Sequence, residues 1–226
     1  MTADGRPAGL ILGSASPRRA NLLRQINAAF DIVTADADET ADIGLTPAQY
    51  VSELSERKAR AVYNKVKNDL LFINKYERAA IVGADTTVVA PGGEILGKPD
   101  GAGDAKRMLG LLSGNWHEVY TGVTLLDIRR PPGCEAVAAG GRAGFRLIGS
   151  ITGHEATRVK MCVLDAAAIA RYVESGEPAG KAGAYAIQGM GALFVERVEG
   201  CFFNVVGLPL RRLDTMLRKL GYDHLI

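Results

Sequence analysis

Between Leu10 and Phe30 an apolar run is cut short by a small polar turn and followed at once by helical periodicity, which commits this part of the chain to strand, tight turn and helix. Leu10, Ile11 and Leu12 have the length and composition of a buried strand, Gly13 to Ser16 break it, and Leu22, Leu23, Ile26 and Phe30 recur at helical spacing. Ser16 stands where an N-cap is wanted, and Pro17 stands at the first helical position, where its missing N–H would be unpaired anyway. Arg18 and Arg19 then fall in the first turn, where the helix macrodipole disfavours cations by about 0.3–1 kcal/mol each. Two readings follow. Either both arginines are simply hydrated, or free backbone N–H groups, the hydroxyls of Ser14 and Ser16 and the two guanidiniums together grip the oxygens of a polyanion.

A second place of chemical interest lies further along. Ala79 to Ala84 reads as a fully buried strand ending at Asp85, and in open α/β sheets ligands gather outside the carboxyl ends of strands. A hairpin follows, with arms Thr86–Ala90 and Glu94–Lys98 joined by Pro91-Gly92-Gly93. A three-residue loop faces Ala90 with Glu94 and returns Lys98 to within a residue of Asp85. The pair is then either a structural salt bridge or part of a site. Asp36, Asp38 and Glu39 form an acidic cluster after a short strand at Phe30 to Val33. It reads as a solvated loop or as a metal or substrate contact.

The rest alternates in the α/β manner. Thr46-Pro47 opens a helix carrying Tyr50, Val51, Leu54, Lys58 and Ala61; Asp104 to Leu112 is a helix; His117 to Leu126 and Thr157 to Val163 are strands; Ala166 to Val173 is a helix. His117, entering a strand, reads as a surface or hydrogen-bonded residue. Lys181 to Gly191 sets Lys181, Tyr185 and Gln188 among glycines, a composition suited to backbone closing over a ligand. Leu193–Val198 and Phe202–Val206 read as a hairpin over Glu199-Gly200, and Leu210, Leu213, Leu217 and Leu220 as one face of a closing helix. Asn64 to Arg78 reads as a helix end plus a surface insertion, and Arg129 to Gly153 as a loop or irregular hairpin. Neither a P-loop nor a dinucleotide fingerprint is present.

With 226 residues, 47% apolar and 23% charged, the chain is of ordinary globular composition, and a net charge of +2 argues for neither nucleic acid nor a membrane surface. Cys134, Cys162 and Cys201 are odd in number and fit neither a disulfide framework nor a zinc site, which suggests a reducing compartment. Met1 to Gly9 is polar and reads as a frayed start without a signal peptide. With no apolar run of membrane-spanning length, the expectation is a cytoplasmic protein of one domain, residues 1–226.

SASPRR after an apolar strand resembles the N-terminal signature of the Maf family of nucleoside triphosphate pyrophosphatases. Further segments similar to that family follow in order: KARAV from Lys58, GADTTVV from Gly83, ILGKP from Ile95, LSG and HEVYTGV up to Val123, KAGAYAIQG from Lys181 and NVVGLP from Asn204. The resemblance implies an α/β fold with a long bent mixed sheet, helices on its faces and a nucleotide cleft between two lobes. It also implies a homodimer. It assigns phosphate binding to Ser14, Arg18, Arg19, Lys58 and Lys98, and makes Asp85 the base or, with Glu39, a ligand of Mg²⁺ or Mn²⁺. Arg18, Thr86 and Gln188 match the branch resembling dTTP/UTP pyrophosphatases, with Lys181 and Gln188 on the substrate and modified pyrimidine nucleotides as further candidates. Lys58 and Lys98 would assist Asp85. The competing expectations are a non-catalytic nucleotide- or nucleic-acid-binding regulator linked to septum formation, and a phosphatase acting on small phosphorylated metabolites. A pure polyanion-binding cleft has no use for a carboxylate among its lysines, and a small-metabolite phosphatase has none for a base-reading segment.

Overall fold

A computed structural model describes residues 8–38, 40, 44–131 and 144–222. The first strand, β1 (Ala8–Leu12), leads through the Gly13–Ser16 turn into α1 (Pro17–Gln25). β1 pairs in parallel with the short β2 (Asp31–Ile32) on one side and with β3 (Arg78–Val89) on the other. Its residues alternate between faces, as a strand buried on both sides must. Leu10 and Leu12 join one core cluster with Leu22 and Leu23, while Ile11 joins another with Val62, Val66 and Ile73. The strand is therefore apolar without a break.

Between β2 and β3 run α2 (Pro47–Val66) and α3 (Leu70–Lys75). α2 opens on a reciprocal cap, in which Thr46 Oγ1 accepts from the Gln49 N–H and Gln49 Oε1 accepts from the Thr46 N–H at 3.0 Å. The helix then lies on the sheet with no side chain as spacer. A Cβ on Gly83 would sit 2.2 Å from the Ser55 carbonyl oxygen, and one on Gly122 would sit 2.1 Å from that of Val51. Both glycines are required by this close approach.

β3 continues through the short antiparallel β4 (Ile95–Leu96) to α4 (Gly101–Leu112), and β5 (Trp116–Arg129) returns antiparallel along the whole of β3. β6 (Arg146–Met161) pairs with β5, and after α5 (Ala166–Glu174) the strand β7 (Val195–Glu199) pairs with the end of β6. α6 (Phe202–Val206) and α7 (Leu210–Lys219) follow. Among the described residues this makes one mixed sheet of seven strands, in the order β2-β1-β3-β5-β6-β7 with β4 on the far end of β3. One end of the long strands is clothed by α1, α2, α3 and α7. The other end carries a separate cluster built by Met108, Leu109 and Leu112 of α4 with Tyr172 and Tyr185. A cleft lies between these two bodies. Among the described residues no helix is long and apolar enough to cross a membrane.

Several expectations change. Asp85 does not end a strand: β3 runs on to Val89, paired throughout with β5. β1, however, stops at Leu12 opposite Val82, so Asp85 lies just past the end of the parallel pair, where the cleft opens. Ala8 and Gly9 belong to β1, Gly9 lying under the Tyr76 ring. Asn64–Arg78 is not a surface insertion, because Ile73 and Tyr76 are buried; α3 is too short for its periodicity to show. The strand expected at Thr157–Val163 begins at Arg146, and Gly149 and Gly153 lie where Leu220, Arg212 and Met216 of the C-terminal region pass over it. Residues 132–143, with Cys134, lie outside the described residues. Phe202–Val206 is a helix and not a hairpin arm. β-Branched and aromatic residues favoured a strand there, yet the buried Asn204 amide, donating to the Val119 carbonyl and to Thr157 Oγ1 at 2.9 Å each, fixes a helical turn that Gly207 ends.

Candidate active site

The cleft has a volume of about 1160 Å³ and is lined by Ser14, Arg18, Arg19, Lys58, Asp85, Thr86, Lys98, Lys181 and Gln188. All but one of the residues singled out from the sequence thus line one cavity. The exception, Glu39, lies outside the described residues, while Asp36 and Asp38 before it line the same cleft.

The Gly13–Ser16 turn is arranged around one hydroxyl. Ser14 Oγ accepts from the Ser16 N–H at 3.2 Å and from Arg19 NH1 at 3.1 Å, which leaves its own proton for an outward bond. Ser16 occupies the N-cap position, but its side chain makes no capping bond, so the N-terminal N–H groups of α1 are not satisfied by it. Arg19 is held on three sides: Nε donates to the Gly207 carbonyl at 2.8 Å, NH1 to Ser14, and NH2 to Thr86 Oγ1 at 3.0 Å. Thr86 Oγ1 lies 2.9 Å from Thr121 Oγ1, which donates to the Asn204 carbonyl at 3.1 Å. A hydroxyl carries one proton. Thr121 spends its own on Asn204, so Thr86 must be the donor to Thr121, and the chain Arg19, Thr86, Thr121, Asn204 runs in one direction. Thr86 consequently has no proton for a ligand and instead orients Arg19.

Asp85 is 9% exposed, and its Oδ1 accepts from Lys58 Nζ at 2.6 Å. The sequence brought Lys98 to this carboxylate. The register is as expected, with Val88 opposite Leu96 and Ala90 opposite Glu94, but pairing ends at Leu96 and the ammonium on Asp85 Oδ1 is that of Lys58. The cause is the contact of α2 with Gly83, which seats Ala59 against the sheet and delivers Lys58 next to it.

Arg18 and Lys181 complete the cationic lining. Burial lowers the pKa of Arg18. Burial also lowers that of Lys181, helped by the like charge of Arg18 and opposed by Glu177. Two cations of one cleft thus lie close enough for one to feel the other, an arrangement that an anion between them relieves. Gln188 is exposed to the cleft, and among the described residues its amide makes no hydrogen bond.

Thr121, Asn204, Tyr172 and Glu177 were not visible as site residues in the sequence. Most of their partners are backbone groups or residues far along the chain, and the one short-range pair, Tyr172 with Glu177, is five positions apart, a spacing with no recognisable pattern. His117, in contrast, is a buried, hydrogen-bonded residue as its position suggested: Nε2 lies 2.7 Å from the Tyr185 hydroxyl, and burial pushes its pKa down to about 4. Trp116 packs under the Arg158 guanidinium, 4.6 Å from the ring centroid.

Fold and cleft together define an α/β protein built to bind a polyanion beside a buried carboxylate. The family model described as "Maf-like protein" matches residues 9–220, and the chain belongs to that family. It is 46% identical over 212 residues to the dTTP/UTP pyrophosphatase of Acetivibrio thermocellus, covering 94% of this chain and 95% of that one. It is 45% identical to the protein of that name from Pelotomaculum thermopropionicum (95% and 97% covered) and 41% identical to that of Hahella chejuensis (96% of each). Among solved structures it is similar to the Staphylococcus aureus Ham1 protein, with a TM-score of 0.41 and 10% identity over 68% of this chain and 71% of that one.

Proposed function

We propose that this chain hydrolyses nucleoside triphosphates, dTTP and UTP foremost, at the α–β phosphoanhydride to give the monophosphate and pyrophosphate. The observation that carries the reading is the carboxylate of Asp85, buried beside Lys58 in a cleft otherwise lined by Arg18, Arg19, Lys98 and Lys181. A cleft that only held a polyanion would be weakened by that negative charge. A hydrolase needs it, to take the proton of the attacking water or to hold a metal that acidifies the water. Arg18, Arg19, Lys98 and Lys181 neutralise the phosphate tail, Ser14 donates a hydrogen bond to it, and Gln188 offers the donor and acceptor that pair with N3–H and a carbonyl of uracil or thymine.

The donor set fits Mg²⁺ or Mn²⁺. Asp85 Oδ2 makes no hydrogen bond among the described residues, and Asp36 and Asp38 line the same cleft, so hard oxygens are at hand for an ion held jointly with substrate phosphates. Among the described residues no three His, Cys, Asp or Glu side chains cluster as a complete metal cage. When bound, the ion would polarise the phosphate oxygens and lower the pKa of the water.

The test is a panel of dTTP, UTP, CTP, GTP and 7-methyl-GTP with Mn²⁺ or EDTA, assayed for pyrophosphate and orthophosphate separately. Pyrophosphate release fastest on dTTP and UTP, and abolished by EDTA, is expected; orthophosphate release would overturn the reaction class, and a preference for 7-methyl-GTP the substrate class. Asp85→Asn should lower kcat by several orders of magnitude with nucleotide affinity retained, since removing a negative charge does not loosen the hold on an anion. Full activity in that variant would favour the non-hydrolysing regulator.

A further inference from the structure

The segment that presents Gln188 is fastened to one carboxylate. Glu177 Oε1 accepts from the Gly191 N–H at 3.0 Å and from the Tyr172 hydroxyl at 2.9 Å, and its Oε2 accepts from the Met190 N–H at 3.0 Å. The Tyr172 hydroxyl in turn accepts from the Ala186 N–H at 3.2 Å. Backbone on both sides of Gln188 is therefore tied to the same pair of side chains, one end at Ala186 and the other at Met190 and Gly191. Between them Gly189 adopts φ +79°, and a Cβ there would lie 2.7 Å from Glu177 Oε2, so the carboxylate occupies the space a side chain would need. The Glu177 carbonyl also accepts from Lys181 Nζ, so the same residue places a cation of the cleft.

We infer that Glu177, acting with Tyr172, is a positioning residue that sets base specificity by holding Gln188 in place. This rests on the proposed reading of Gln188 as the base-recognising group. The chemistry calls for an ionised carboxylate. Its two oxygens receive three donors, and every donor is an N–H or an O–H that must point at an acceptor. A glutamine has the same shape but offers one oxygen and an NH₂, so at least one of those donors would face another donor. Such mismatched, partly buried groups are costly, and the loop escapes the cost by moving. Movement at Gln188 is felt most by the base whose edge the amide is set to meet. Uracil offers N3–H as a donor and a neighbouring carbonyl as an acceptor; cytosine presents the reverse pair, N3 as acceptor and the C4 amine as donor, and needs the amide turned over.

The experiment measures kcat and KM for UTP and CTP in the parent, Glu177→Gln, Tyr172→Phe, Gly189→Ala and the Glu177→Gln/Gly189→Ala double variant, with thermal unfolding as the check on folding. Glu177→Gln should lower the UTP:CTP ratio of kcat/KM by about tenfold, through KM for UTP, while CTP turnover changes little. Gly189→Ala should do the same, and the double variant should cost no more than either alone, because both release one loop. An unchanged ratio in a folded Glu177→Gln protein, or equal losses on both substrates, would overturn the inference; Tyr172→Phe and Gly189→Ala decide it if Glu177→Gln does not fold. A parent that does not prefer UTP overturns the proposed substrate class instead, and the two failures are distinct.

Discussion

Thr86 stands between Arg19 and Thr121, and replacing it with valine would leave Arg19 NH2 facing a methyl group. A lost bond to a charged group of this kind raises KM by about tenfold, whereas Thr86→Ser, which keeps the hydroxyl, should restore it; initial rates on UTP separate the two. Lys181 makes a different prediction. Burial and the charge of Arg18 hold its pKa below the ordinary 10.5, with Glu177 partly opposing them. An amine binds phosphate only when protonated, so KM should begin to rise with pH below that ordinary value. Lys181→Arg, whose charge persists across the range, should flatten the profile. Both arguments concern where a proton sits, which no sequence pattern records: the resemblance of GADTTVV to its family raised the expectation of a substrate contact at Thr86, and nothing in that segment says that the proton of Thr86 is already spent.

At the scale of elements, the seating of α2 on Gly83 and Gly122 determines how far Lys58 stands from Asp85. Gly83→Ala or Gly122→Ala must lift the helix backbone off the sheet. The expected cost is about 1–3 kcal/mol of stability, read as a lower urea midpoint, together with a fall in kcat as the ion pair is pulled apart. The strand, turn and helix at the chain start were legible because β1 is buried on both faces and Pro17 marks the helix start. Thr46-Pro47 and the leucine face of α7 were legible for similar local reasons. What failed to show was set from a distance. Phe202–Val206 has strand-forming residues overruled by the Asn204 bonds to β5 and β6, and Arg146–Gly153 looks like a loop because its glycines serve the chain that crosses above. Counting along the hairpin brings Lys98 to within a residue of Asp85, while the lysine on Oδ1 comes from α2, an element that such a count does not reach.

For the molecule as a whole, His117 makes stability depend on pH. Buried beside Tyr185, it takes a proton only near pH 4, whereas in the unfolded chain it does so near 6.5. Between those values the unfolded state holds more protons, so stability present above about 6.5 is lost as pH falls towards 4. From pH 7 to pH 5 this group alone should remove on the order of 2 kcal/mol, and a His117→Phe variant should lose correspondingly less between the same two buffers. The clasp on Arg19 sets a different limit, one of time. Its Nε is held by the carbonyl of Gly207, 188 positions further on, so the guanidinium cannot be fixed until α6 has docked. Contacts so distant along the chain form late. During refolding the far-ultraviolet signal of helices and sheet should therefore return before catalysis does. On the ribosome, a nascent chain would carry the Gly13–Ser16 turn, both glycine seats and nearly all of the described sheet while still inert, and would acquire activity only as α6 and α7 emerge.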